Sequence, residues 1–298
     1  MLLIRSLNKK NLYMLITTEN QLQELISEAM QTPAVALDTE FVRERTFYPE
    51  LGLIQLAIKH DCYLIDPVAI SDLSALGELL AAPEVTKILH DPQQDLMILK
   101  SATGTAAKNI FDTRMAYGFS NGCATLSLAA LLSDTLKIHL PKTETRANWL
   151  MRPLTEKMFD YACDDVRYLC DLMNYLIKQA DAQNTSEWLI EEMKIYDSPS
   201  YYSDISPREY FRKIRGGDQV KGARLAALQK LAEWREKTAR RKNRPRGHIV
   251  QNNALLVLAA RCPTTTDGLK RLKLLSPRCI KRYGSSLINC IQAGLNTP

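Results

Sequence analysis

The chain has 298 residues, more than one core usually covers, which predicts two domains. Its composition, 46% apolar and 24% charged, predicts a soluble globular protein, and no apolar run approaches the ~20 residues a membrane-spanning helix needs. The net charge of +6 is unevenly spread: residues 208–298 hold 21 Lys/Arg against 5 Asp/Glu, net +16, and residues 1–207 hold 18 against 28, net −10. A basic half predicts either a polyanionic partner, most often nucleic acid, or a solvated basic surface.

Residues 1–13, "MLLIRSLNKKNLY", read as a loose extension whose apolar start is too short for a signal-peptide core. "MLIT" reads as a short strand. Thr18 then caps a helix, with Gln21 three residues on and Leu22, Leu25, Ile26 and Ala29 at helical spacing. Residues 34–40, "LIQLAI" (53–58) and "CYLID" (62–66) read as strands close enough for a meander. A helix from Ser71 to Ala82 precedes the strand "TKILH" (86–90), and Asp91 and Pro92 suit the start of a helix through Lys100. Helical segments dominate from there to Tyr196, one of them spanning 155–178. The pattern is an α/β domain around a mixed sheet.

"YDSPSYYSDISP" (196–207) has no sustained period and reads as a linker, so cutting near Pro207 is expected to leave a folded first domain. Three helical segments then form a small all-helical domain, giving an extension (1–13), a first domain (14–195), the linker (196–207) and a second domain (208–298). Seven cysteines (Cys62, Cys123, Cys163, Cys170, Cys262, Cys279, Cys290) form no C-x-x-C pair and predict reduced thiols in a cytoplasmic protein.

"VALDTEF" (35–41) poses the chemical question. Asp38 and Glu40 alternate onto the same face of a predicted strand, where like charges repel and lose hydration. Asp165 falls on the apolar stripe of the predicted helix 155–178, four residues after Tyr161, with Asp164 toward the stripe's edge. Asp95 shares a helix face with Leu96 and Leu99. Each acid could cap a helix or pair with an arginine such as Arg43 or Arg45. Four together favour a hard divalent cation, magnesium being the natural one.

"DTEFVRERTFYPELGLIQLA", "ILHDPQQDLMIL" and "YACDDVRYL" resemble the three motifs of the DEDDy 3′→5′ exonucleases, in the form found in the bacterial ribonuclease D family. "LPKTETRANWLMRPLT" (140–155) resembles the same family, and "RPRGHIVQNNALLVLAARCP" resembles its helical HRDC domain. The family often carries two HRDC modules, and this chain has room for one. The resemblance implies a ribonuclease H-like exonuclease domain with a mixed sheet flanked by helices, followed by a small all-α HRDC-like domain. It implies that Asp38, Glu40, Asp95 and Asp165 hold two divalent ions, Mg²⁺ or alternatively Mn²⁺, and that Tyr161 orients the attacking water. The implied substrate is RNA with a 3′ end, such as tRNA precursors, trimmed to nucleoside 5′-monophosphates. No membrane and no obligatory protein partner are implied. A DNA exonuclease and a catalytically inactive nucleic-acid-binding protein are the competing readings.

Further candidates each carry two readings. His90 could be a metal ligand or a hydrogen-bonded structural histidine. Lys142, Arg146 and Arg152 surround Trp149 and could supply phosphate contacts and base stacking, or form a surface loop around a packed tryptophan. Arg241, Lys242, Arg244 and Arg246 could track phosphates or belong to a solvated helix end.

Overall fold

The computed structural model describes residues 13–122, 125–141 and 147–296. Two compact units emerge, one of residues 13–42 and 50–203, the other of residues 43–49 and 204–296. No helix of the described residues is long and apolar enough to cross a membrane.

The first unit is built on six strands: β1 (Tyr13–Ile16), β2 (Ala34–Val42), β3 (Glu50–Ile58), β4 (Asp61–Ile65), β5 (Thr86–Leu89) and β6 (Ile110–Asp112), in the order β1-β4-β3-β2-β5-β6. β2, β3 and β4 form the expected antiparallel meander, while β1, β5 and β6 join in parallel, so the sheet is mixed. Its strands are apolar on both faces: Leu37, Leu53, Leu56 and Leu64 are each 0% exposed. Burial of one such side chain contributes about 2 kcal/mol. Among the described residues eight helices flank the sheet: α1 (Glu19–Ala29), α2 (Ser74–Ala81), α3 (Gln93–Thr103), α4 (Thr113–Asn121), α5 (Leu128–Thr135), α6 (Glu156–Arg167), α7 (Leu169–Ala182) and α8 (Ser186–Met193).

Thr18 caps α1 by accepting from the Gln21 amide, and Gln21 Oε1 accepts in return from the Thr17 amide at 3.0 Å. Three local expectations are corrected. β6 is a strand inside a stretch read as helical, because three residues are too short to show a period. The expected helix 155–178 breaks at Tyr168 (φ −103, ψ 0), which separates α6 from α7. Asp91 does not cap α3; its backbone is left-handed (φ 54) and its carboxylate pairs with Arg114.

The stretch read as a linker is also corrected in its first half. Tyr196 and Tyr202 are buried in the first unit's core, and Tyr196 donates to Asp112 at 2.7 Å. Tyr201 packs edge-on against both rings. Aromatic area holds this Ser/Pro-rich stretch to the domain, and the units divide after Ser203.

The second unit holds α9 (Ala223–Arg241), α10 (Arg246–Ile249), α11 (Asn252–Arg261), α12 (Thr266–Arg271) and α13 (Pro277–Leu295). α9 and α13 approach closely at Gly294, where a Cβ would lie 2.3 Å from the Ala227 backbone. Phe47 joins the leucine core of this unit, and Asn243 Oδ1 accepts from the Phe47 and Tyr48 amides at 3.0 and 3.1 Å.

Candidate active site

β2 outlasts its parallel neighbour. Its pairing with β5 ends at Ala36, so Asp38, Thr39 and Glu40 continue past the last β5 partner. α3 starts shortly after β5 and carries Asp95 in its first turn, beside this free edge. Thr39 Oγ1 donates to Asp95 Oδ1 at 2.5 Å. On the Asp38 face, α6 lies against β2, β3 and β4 and presents Tyr161 and Asp165 one turn apart. A bulge between Glu40 and Phe41 ends the regular pairing just past the second acid.

One oxygen each from Asp38, Glu40 and Asp165 lie within 4.8 Å of one another. Asp95 stands outside this tightest group, held by Thr39, yet close enough to raise the carboxyls of Asp38 and Glu40. Burial is the largest cause of a raised pKa for all four acids. Asp38 is pushed well up by burial and then by Asp95, Asp165 and Glu40. Glu40 is pushed up to about 8 by burial, Asp165 and Asp95. Asp95 and Asp165 rise by burial against the hydrogen bonds from Thr39 and Tyr161. No ion pair among the described residues joins any of the four to a lysine or arginine. Arg43 and Arg45 are exposed residues of the second unit. Clustered carboxylates without a protein cation are the donor set of a hard divalent metal, so the residues fit the ions expected of them.

Tyr161 donates to Asp165, and burial followed by the charges of Asp165, Glu40 and Asp38 raises its phenol above the ordinary tyrosine value. Its ring leans on Trp149, centroids 6.0 Å apart. Trp149 is 2% exposed and packs on Gly52, where a Cβ would lie 2.6 Å from the Trp149 Cβ. Base stacking by Trp149 is therefore corrected: the indole is buried and braces Tyr161. Phosphate contact by Arg152 is corrected too. Its guanidinium donates to both Asp66 oxygens at 2.7 and 2.6 Å, to Gly52 O at 2.7 Å, to Trp149 O at 2.8 Å and to Met151 O at 2.9 Å. Those bonds use the whole donor fork. Lys142 and Arg146 lie outside the described residues.

His90 takes its structural reading: Nδ1 meets Thr113 Oγ1 at 2.9 Å and Nε2 donates to Leu126 O at 3.1 Å. Asp164 turns to Arg167, 3.7 Å away, and is not in the acidic group. In the second unit Arg241, Lys242 and Arg244 are exposed, as a phosphate-tracking role requires. Arg246 is corrected: it is bidentate on the buried Glu236, at 2.5 and 2.9 Å, and sits 4.6 Å from the ring centroids of both Phe47 and Tyr210. Sequence reasoning missed Thr39 and the bracing role of Trp149. A hydroxyl between two acids in a buried strand is the one signal that marks Thr39.

A family described as 3′-5′ exonuclease matches residues 13–181, and the HRDC domain matches residues 224–291. The chain is 43% identical to ribonuclease D of Desulfotalea psychrophila, over 95% of this chain and 75% of that protein. It is 32% identical to ribonuclease D of Escherichia coli K12, over 96% of this chain and 76% of that one. The crystal structure of Escherichia coli RNase D, described as an exoribonuclease involved in structured RNA processing, superposes with a TM-score of 0.87 over 96% of this chain and 76% of that chain, at 32% identity. The catalytic core of RRP6 from Trypanosoma brucei shares the fold, with a TM-score of 0.72 at 19% identity over 98% of this chain and 81% of that one.

A mixed sheet, an acidic cluster at the end of its interior strand β2 and a helical HRDC domain define a divalent-metal-dependent 3′→5′ exonuclease. Within that class the chain belongs to the ribonuclease D family and is a 3′→5′ exoribonuclease.

Proposed function

We propose that Asp38, Glu40, Asp95, Tyr161 and Asp165 carry the hydrolysis, and that the substrate is structured RNA such as tRNA precursors. The observation that supports this most is the group of three carboxylate oxygens within 4.8 Å, which no lysine or arginine among the described residues pairs with. Two magnesium ions bound there would supply an activated water and stabilise the departing oxygen. Asp38, Glu40, Asp95 and Asp165 would hold them, with Thr39 fixing the Asp95 rotamer. Tyr161 stays protonated at neutral pH, because its phenol is raised above its ordinary value. With its one O–H on Asp165, it orients water by accepting a hydrogen bond on its phenolic oxygen, and it does not act as a base. The water oxygen bonds to the terminal phosphorus, the bond from phosphorus to the 3′ oxygen breaks, and a nucleoside 5′-monophosphate leaves.

The exposed Arg241, Lys242 and Arg244 suit phosphate contacts that lie away from the chemistry. A cytoplasmic location belongs to the same proposal, since all six described cysteines are free. Incubation of 3′-labelled RNA and DNA of one sequence, with Mg²⁺ or with EDTA, tests it. The expected result is metal-dependent release of mononucleotide from RNA. Equal release from DNA would remove the substrate assignment, and release in EDTA would remove the metal.

A further inference from the structure

Gln55 is 0% exposed, and neither Oε1 nor Nε2 of its carboxamide has a hydrogen-bond partner. A buried amide left unpaired loses its hydration without a replacement, so its presence calls for a partner. The sheet says where that partner lies. Gln55 on β3 stands directly opposite Asp38 on β2 in the antiparallel register, and opposite residues project to the same face. That face also carries Glu40 opposite Leu53, and α6 with Tyr161 and Asp165 covers it.

The neighbouring acids set the pattern. Asp95 accepts from the Thr39 hydroxyl, and Asp165 accepts from the Tyr161 hydroxyl. Each thereby has one side-chain donor that fixes its rotamer and leaves other lone pairs for a cation. Asp38 has the Thr39 backbone amide and no side-chain donor among the described residues. Directly opposite it in the register stands the Gln55 amide, which no described residue uses. We infer that Gln55 is the positioning residue of Asp38: its Nε2–H donates to the Asp38 carboxylate in the metal-loaded protein and aims that carboxylate at the cations. This rests on the reading of Asp38 as a metal ligand. Outer hydrogen bonds of this kind are worth about 10- to 100-fold in metal affinity.

The test uses the full chain and compares wild type with Gln55→Met, Gln55→Leu and Asp38→Asn. Mn²⁺ affinity is read by calorimetry and the metal-free melting temperature by circular dichroism. Met keeps the length of Gln without its polar atoms, and Leu is a second apolar shape should one variant fold poorly. Both should melt at or above the wild-type temperature without metal, because the unpaired amide is gone, and both should bind Mn²⁺ at least about tenfold more weakly. A structural role alone would give the opposite split, with a lowered metal-free melting temperature and unchanged Mn²⁺ affinity, and would overturn the inference. Absence of Mn²⁺ binding to wild type, or an unaffected Asp38→Asn, would instead overturn the metal assignment on which it rests.

Discussion

The burial of Asp38 and Glu40 has a thermodynamic sign. A carboxyl whose pKa is higher in the folded than in the unfolded chain binds its proton more tightly when folded. Its contribution favours folding below the unfolded value, about 4, and is lost as pH rises through the folded value, about 8 for Glu40. Metal-free protein should therefore lose stability between about pH 4 and pH 8. Glu40→Gln should flatten that slope, and melting in EDTA across the series reads it; identical slopes would show that neither the burial of the Glu40 carboxylate nor its repulsion by Asp165 and Asp95 is felt. Tyr161→Phe keeps the ring on Trp149 and removes only the hydroxyl that donates to Asp165. Turnover should fall roughly 10²-fold or more with KM nearly unchanged. A matching rise in KM would make Tyr161 a substrate-binding residue.

At the scale of elements, the site depends on two packing devices. The first is the shortness of β5, which leaves the end of β2 free beside the first turn of α3. The second is the 149–152 segment, clamped by Arg152 onto Asp66 and Gly52 so that Trp149 stands behind Tyr161. Burial pushes the Asp66 carboxyl up, but the Arg152 bonds and the Val68 and Ala69 amides bring it below the usual carboxylate range. That contribution is present above the unfolded value and is lost as pH falls through the folded one. Arg152→Ala should cost about 3 kcal/mol at pH 7, since it strands the buried Asp66, and less at acid pH. Denaturant melts at both pH values decide it; a variant as stable as wild type would return Arg152 to the phosphate-contact reading.

Much of this element level was legible in the sequence. The meander, the α1 cap and the pairing of Asp38 with Glu40 follow from period and local chemistry. Long-range packing was not: for Trp149 and Arg152 the substrate-contact reading and the packed-tryptophan reading both stayed open, because an aromatic among cations looks the same whether it is solvated or buried under a sheet. The break at Tyr168 was hidden because the apolar stripe runs through both helices.

Across the whole molecule, chain order and structural unit part company. Residues 43–49 follow β2 immediately, yet they belong to the basic helical unit, where Phe47 is buried and Asn243 holds two of their amides. The expectation that a cut near Pro207 leaves a folded first domain therefore has a cost at residues 43–49. Such a cut removes Asn243, Arg246 and the leucines that cover Phe47. The loop after Glu40 should then be released, and trypsin should cleave at Arg43 or Arg45 at least about tenfold faster than in the full chain, as local opening governs proteolysis. Equal cleavage rates would restore the view of an independent first domain.

The central claim is that the clustered carboxylates act by holding divalent cations for hydrolysis at an RNA 3′ end. The most direct measurement is the initial rate of mononucleotide release from 3′-labelled RNA, over a Mg²⁺ series carried to saturation, for wild type and Asp38→Asn. Wild type should be silent in EDTA and rise to saturation, while the variant stays at least about 10²-fold lower at every concentration. Near-normal turnover of Asp38→Asn at saturating Mg²⁺ would contradict the account.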